Sequence, residues 1–128
     1  MARILTILFI AAAMACSSDN NESKGTPIGL ALKRASSFCN VSQNEMDWLL
    51  KLIVEIESQE SDLSLHGPIY AFRASGKSIF IHQPWIMSCF GCILYDCEGN
   101  RIDPQDIDQS VLSAGFQNLT EIYSPVLE

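Results

Sequence analysis

The chain has 128 residues, 48% hydrophobic and 18% charged, with 15 Asp and Glu against 8 Lys and Arg, for a formal net charge of −7. This length accommodates one small domain and is too short for two. The acidic balance argues against nucleic acid and anionic membrane surfaces as partners, because both call for a basic footprint.

Residues 1–16 have the layout of a lipoprotein export signal. Arg3 supplies a positive n-region, residues 4–14 an apolar h-region, and Ala13-Met14-Ala15 the small residues a signal peptidase needs. Cys16 follows directly, where a thiol can take a diacylglycerol thioether and an N-acyl chain such as palmitate. The h-region would span only about 16 Å as a helix, roughly half a hydrocarbon core, which favours a cleaved leader over a retained span. The usual lipobox has Leu where Ala13 stands and Ala or Ser where Met14 stands, and ordinary secretory cleavage would leave Cys16 free. The expected organisation is a signal peptide over 1–15, a lipid anchor and tether over 16–27, and one domain over 28–128. Without Arg3 the mature chain carries 7 basic against 15 acidic residues, a balance of −8. Membrane attachment must therefore come from the lipid, and the expected location is the bacterial cell envelope, anchored to a membrane on a periplasmic or surface face.

Residues 17–27 are polar and without periodicity, a flexible tether about 18 Å long on average. Residues 28–38 are mildly amphipathic and fit either a short helix or an entry strand. The best local signal is residues 41–58. Ser42 and Glu45 form a capping box, with Val41 and Met46 as the hydrophobic staple. Met46, Leu49, Leu50, Ile53 and Ile56 follow at helical spacing, widened by Trp48 and Leu52, while Asp47, Lys51, Glu55 and Ser58 fall on the opposite face. This predicts a core-facing helix of about four turns.

Gly67-Pro68 stops the helix and starts a strand. Residues 69–73 and 78–82 alternate and are rich in Ile, Tyr and Phe, predicting two strands joined by a turn that contains Gly76. Pro84 interrupts the second. A third strand over 92–96 leads through a turn at Gly99 to Arg101-Ile102. Pro104 and Asp106 predict a helix to about Ser113, with Ile107, Val111 and Leu112 inward and Gly115 ending it. Phe116, Leu119, Ile122 and Tyr123 keep helical spacing, but residues 119–124 also suit an edge strand. The expected fold is α+β: an amphipathic helix packed on an antiparallel sheet of three or four strands, with a C-terminal helix.

With Cys16 acylated, Cys39, Cys89, Cys92 and Cys97 remain, and an even number in an exported small domain reads as a disulfide framework. An extended segment would put Cys92 and Cys97 about 16 Å apart, too far for a bridge. Two pairings are left. The first, Cys89 with Cys92 and Cys39 with Cys97, is preferred to Cys39 with Cys92 and Cys89 with Cys97. A CxxC can also be a redox dithiol when a helix N-terminus lowers the first thiol's pKa, but a strand is expected after Cys92. Cys89, Cys92 and Cys97 with Cys39, His66 or His82 would make a tetrahedral zinc set, against which an oxidising compartment competes. The acidic run from Asp96 to Asp108 does not fit an EF-hand, since Arg101 stands where the loop needs Gly and Ile107 where it needs Glu. His82 is expected as a surface or hydrogen-bond-satisfied side chain and His66 in a loop. Asn40 and Asn118 begin sequons that read as chance. No catalytic constellation, metal site or cofactor motif is recognisable.

The succession IYAF, a Gly76 turn, SIFI, a cysteine pair and LYDCEGNRI over residues 69–102 resembles small uncharacterised lipoproteins of Gram-negative bacteria. That resemblance implies an exported lipoprotein domain and brings no catalytic residues. A slighter likeness, Tyr95-x-Cys97 before a Gly turn, is to lysozyme-inhibitor lipoproteins, which are all-β and lack the helix expected at Ser42. The functional expectation is a non-enzymatic, lipid-anchored module that binds an envelope protein or small ligand. Trp85, Ile86, Met87 and Phe90 are its candidate binding patch, with closure of the core as their alternative role. The rival is a thiol redox or zinc protein using Cys89, Cys92 and Cys97.

Overall fold

The structure, a computed structural model, describes residues 25–58 and 65–125. The expected export signal, the lipidation site Cys16 and most of the tether lie outside these residues. Thr26, near the tether's end, exchanges two hydrogen bonds with Ser124: its N–H donates to Ser124 O at 2.8 Å and its Oγ1 accepts from Ser124 N at 3.0 Å.

The segment that fitted helix or strand is a helix, α1, Ile28–Cys39. Pro27 presets the entry, with its carbonyl accepting from Ala31 N at 3.0 Å. Asn40 ends the helix in the left-handed region at φ 60°, a conformation Asn tolerates better than most side chains. Ala31 and Ala35 are fully buried, so small side chains let this helix approach the sheet closely. A single 3₁₀ turn, Gln43–Met46, precedes α2, Asp47–Glu57. The capping box closes between side chains only, Ser42 Oγ donating to a Glu45 carboxylate oxygen at 3.4 Å. Leu49, Ile53 and Ile56 of α2 are fully buried, as is Met46 just before it, and Asp47 pairs with Lys51 at 3.3 Å.

Five antiparallel strands form one sheet, one more than the three or four expected. They are β1 Ile69–Ala74, β2 Lys77–His82, β3 Leu94–Tyr95, β4 Arg101–Ile102 and β5 Thr120–Tyr123, in the order β4-β3-β2-β1-β5. The β1–β2 hairpin pairs Ala74 with Lys77 across Ser75 and Gly76, at φ 54° and 79°. Positive φ at both central residues is the turn whose twist matches a two-residue hairpin. The extra strand is β5, which lies beside β1, and here the edge-strand alternative prevails over helical spacing.

The helix expected from Pro104 is split. Asp103 caps a 3₁₀ turn, Pro104–Asp106, by accepting from Gln105 N at 2.9 Å. Ile107 is extended, and Asp108 then caps α3, Gln109–Phe116, by accepting from Ser110 N at 2.9 Å. Gly115 lies within α3 rather than terminating it. Its role is packing, because a Cβ there would strike the Phe72 ring.

Helices therefore cover both faces of the sheet. One core joins α1 and α2 to Ile69, Ala71, Phe80 and Ile122; the other joins Leu112 of α3 to Phe72, Ile79, Ile81 and Leu94. This explains why Ile79 to His82 are all buried instead of alternating. His82 is 1% exposed, and its Nε2 lies 2.9 Å from the Leu65 carbonyl, so it is the satisfied rather than the surface histidine. Burial pushes its pKa below the ordinary value, with the Leu65 carbonyl and the Glu55 charge pulling the other way. The unfolded chain then binds the extra proton below about pH 6.5 while the folded chain resists it, so stability falls as pH drops through that value. The thermal midpoint is expected to fall between about pH 7.5 and 5.5, and His82→Gln is expected to flatten that dependence, as a melting series in both buffers would read out.

Candidate functional site

The site is built on the connection between β2 and β3, residues 83–93. Pro84 cannot continue the ladder, and a turn forms in which Met87 N donates to Pro84 O at 3.0 Å. Gln83 spans the loop from within: its Nε2 donates to Met87 O at 3.1 Å and its Oε1 accepts from Gly91 N at 3.3 Å. Cys89 and Cys92 are disulfide-bonded with Cα atoms 5.6 Å apart. Gly91 takes φ 85° with the Phe116 ring where a Cβ would stand, a combination closed to other residues without strain. The loop's start is tied to the strand before it by Gln83 N to Pro68 O at 2.9 Å and Trp85 N to His66 O at 2.8 Å.

This frame holds all four patch residues outward. Trp85 is 47%, Ile86 71%, Met87 38% and Phe90 41% exposed, so each keeps a large part of its apolar surface in solvent. Phe90 stacks edge-on against Phe116 at 4.9 Å between ring centroids, and Trp85 lies 6.1 Å from the His66 ring. His66 keeps its Nδ1 buried and without a hydrogen-bond partner among the described residues. Gln83 and Gly91 carried no signal that sequence reasoning used. A polar side chain immediately before Pro84, and a glycine inside a CxxC, are the features that would have pointed to them.

The remaining cysteines lie elsewhere. Cys39 and Cys97 form a second disulfide, Cα atoms 5.9 Å apart, joining the end of α1 to the β3–β4 turn. The pairing is the first of the two left open by spacing. Cys97 is thus bonded to Cys39 rather than grouped with Cys89 and Cys92, and no group of three or more metal-ligating side chains occurs among the described residues. The chain after Cys92 runs into β3, so no helix starts directly after this disulfide, the arrangement by which a CxxC usually lowers its first thiol's pKa.

The acidic run is occupied with its own backbone. Asp96 Oδ1 accepts from Glu98 N at 2.8 Å and Asn100 N at 2.9 Å, and Asn100 Nδ2 donates to Oδ2 at 3.2 Å. Burial pushes the Asp96 pKa up, but these bonds outweigh it and hold the carboxyl below its ordinary value. Asp103 and Asp108 serve as caps, as described. A concavity of about 570 Å³ between Lys77, Asp96, Glu98 and Asp106 adjoins the Cys39–Cys97 bridge and shares no residue with the apolar loop.

Fold and site together define a small α+β domain braced by two disulfides and presenting one stapled apolar loop. Comparison with known protein families, curated proteins and solved structures finds no match. No helix among the described residues is long and apolar enough to cross a membrane.

Proposed function

We propose that this chain is a lipid-anchored protein of the bacterial cell envelope whose domain is a non-enzymatic binding module, docking an envelope protein or small ligand on the loop of Trp85, Ile86, Met87 and Phe90. One observation carries the reading: four large apolar side chains stand 38 to 71% exposed on a single loop that Gln83 braces from within and the Cys89–Cys92 bond tightens at its Phe90 end. Aromatic and Met side chains are favoured anchors of binding surfaces. A loop held in one conformation by a disulfide and by Gln83 loses little entropy on association, which leaves more of the burial free energy for affinity. An acyl chain at Cys16 would keep such a module near partners in the same envelope, and intact-mass spectrometry of membrane-extracted protein tests that anchor.

Trp85→Ala is expected to leave the thermal midpoint nearly unchanged, within about 0.5 kcal/mol, because the side chain is half in solvent. The same change is expected to reduce recovery of cross-linked envelope partners severalfold; undiminished recovery would remove the loop from the proposal. The rival reading, thiol redox at Cys89 and Cys92, is separated by asking whether the purified protein turns over a disulfide substrate such as insulin. A zinc role is separated by counting thiols with and without chelator.

A further inference from the structure

A second, differently built site lies on α1. Leu30, Lys33, Arg34 and Ser37 recur at the i, i+3, i+4, i+7 spacing that aligns side chains along one helix face. Across from them stand Arg73, near the end of β1, and Thr120, at the start of β5, which are brought together because Ala71 pairs with Thr120 in the sheet. The space between is a groove of about 490 Å³, large enough for a small ligand.

Its charge is opposite to that of the molecule. The chain as a whole carries −7, yet among the described residues three cations, Lys33, Arg34 and Arg73, line this groove and no carboxylate does. None of the three makes an ion pair among the described residues, where Lys51 pairs with Asp47. Glu121 is close in sequence to Thr120, but it pairs in register with Tyr70 and raises that phenol's pKa from the α3 side of the sheet.

Both guanidiniums are already oriented. Arg34 Nη1 donates to the carbonyls of Glu121 and Ile122, each at 3.4 Å. Arg73 Nη2 donates to Phe38 O at 2.9 Å while its carbon lies 4.6 Å from the Phe38 ring centroid. Each arginine has five N–H donors, so the rest remain available. Three unneutralised cations in one groove repel one another, and an oxyanion relieves that repulsion while accepting charge-assisted bonds from planar forks suited to phosphate. Leu30 and Phe38 supply an apolar wall beside the cations.

We propose that this groove binds the phosphate of a small phosphomonoester carrying an apolar substituent, held by Lys33, Arg34 and Arg73 with the hydroxyls of Ser37 and Thr120. The acidic field of the rest of the molecule disfavours a polyanion, so the ligand presents a single phosphate. The site involves neither the apolar loop nor the lipid anchor and stands whether or not they bind as proposed.

The test is calorimetric titration of the full-length protein with phenyl phosphate at low ionic strength, alongside co-flotation with phosphatidic acid vesicles and with phosphatidylcholine vesicles as control. Lys33 is exposed and its side chain makes no ion pair among the described residues, so Lys33→Glu is expected to melt like the native protein. It is also expected to bind at least about tenfold more weakly, while Trp85→Ala binds phenyl phosphate normally. Saturable phenyl phosphate binding that Lys33→Glu weakens assigns a soluble ester; flotation with phosphatidic acid alone, lost in Lys33→Glu, assigns a lipid headgroup. Failure of both probes to bind, or binding that Lys33→Glu leaves unchanged, overturns the proposal.

Discussion

Replacing Cys39 and Cys97 together by Ala is expected to remove about 4 kcal/mol of stability, the value chain entropy assigns to a closed loop of this length. The two cysteines are 58 residues apart, so their bond withdraws a large set of open conformations from the unfolded ensemble. It also fixes the end of α1 against the β3–β4 turn. There Trp48 Nε1 donates to Cys97 O at 2.8 Å, and the Trp48 side chain lies against Gly99, leaving no room for a Cβ at a residue whose φ is 86°. Small domains keep only about 5–15 kcal/mol in total, so the loss is a large share of what holds this one together. The Cys89–Cys92 bond joins residues only three apart, and its removal should cost much less. Urea unfolding of the two double variants measures the difference directly. A loss below about 1 kcal/mol for Cys39 and Cys97 would show that the Trp48 contacts secure the junction without the bond.

Phe80→Ala is the second large effect, an expected loss of about 3–5 kcal/mol. Phe80 is completely buried in the core beneath α1 and α2, with ring centroids 5.4 Å from Trp48 and 6.3 Å from Phe38. It pairs in register with Ala71 on β1 and Tyr95 on β3. Phe38 lies beside the Cys39–Cys97 bond at the end of α1 and Trp48 is hydrogen-bonded to Cys97 O, so the surroundings have little freedom to collapse into the space left by the ring. Comparing the urea midpoint of Phe80→Ala with that of Phe80→Leu separates cavity formation from loss of the aromatic contacts. Equal midpoints for Phe80→Ala and the native protein would mean that the site collapses without cost.

Much of the fold is legible along the chain because its causes are local. Leu49, Ile53 and Ile56 declare the buried face of α2 by their spacing, and Ser75-Gly76 closes the β1–β2 hairpin through its backbone preferences. Spacing forbids a Cys92–Cys97 bridge and leaves two pairings, of which the preferred one, with Cys39 bonded to Cys97, is the one the fold adopts. The segment with Trp85, Ile86, Met87 and Phe90 is recognisable as an apolar loop after Pro84. Whether those side chains face inward or outward is not, since it depends on Gln83 and on Phe116, a residue far along the chain, both of which meet Gly91 in the folded chain.

Two misreadings and one choice left open have the same origin. Gly115 looks like a helix stop but is a contact surface for Phe72, a partner 43 positions away in sequence. Residues 119–124 suit helix and strand equally, and the open edge of β1 selects the strand by offering a ladder to pair with. The continuous burial of Ile79 to His82 needs α3 on the second face, and no pattern within β2 can announce a helix that follows about 30 residues later.

Spacing, caps and turn chemistry by themselves determined an α+β domain, its central helix, its hairpin and its cysteine inventory, because those signals act between neighbours along the chain. Tertiary structure alone decided the covering of both sheet faces, the outward turn of the apolar loop and the gathering of Lys33, Arg34 and Arg73 around one groove. The reason is that close packing, not local preference, chooses which distant side chains come to share a surface.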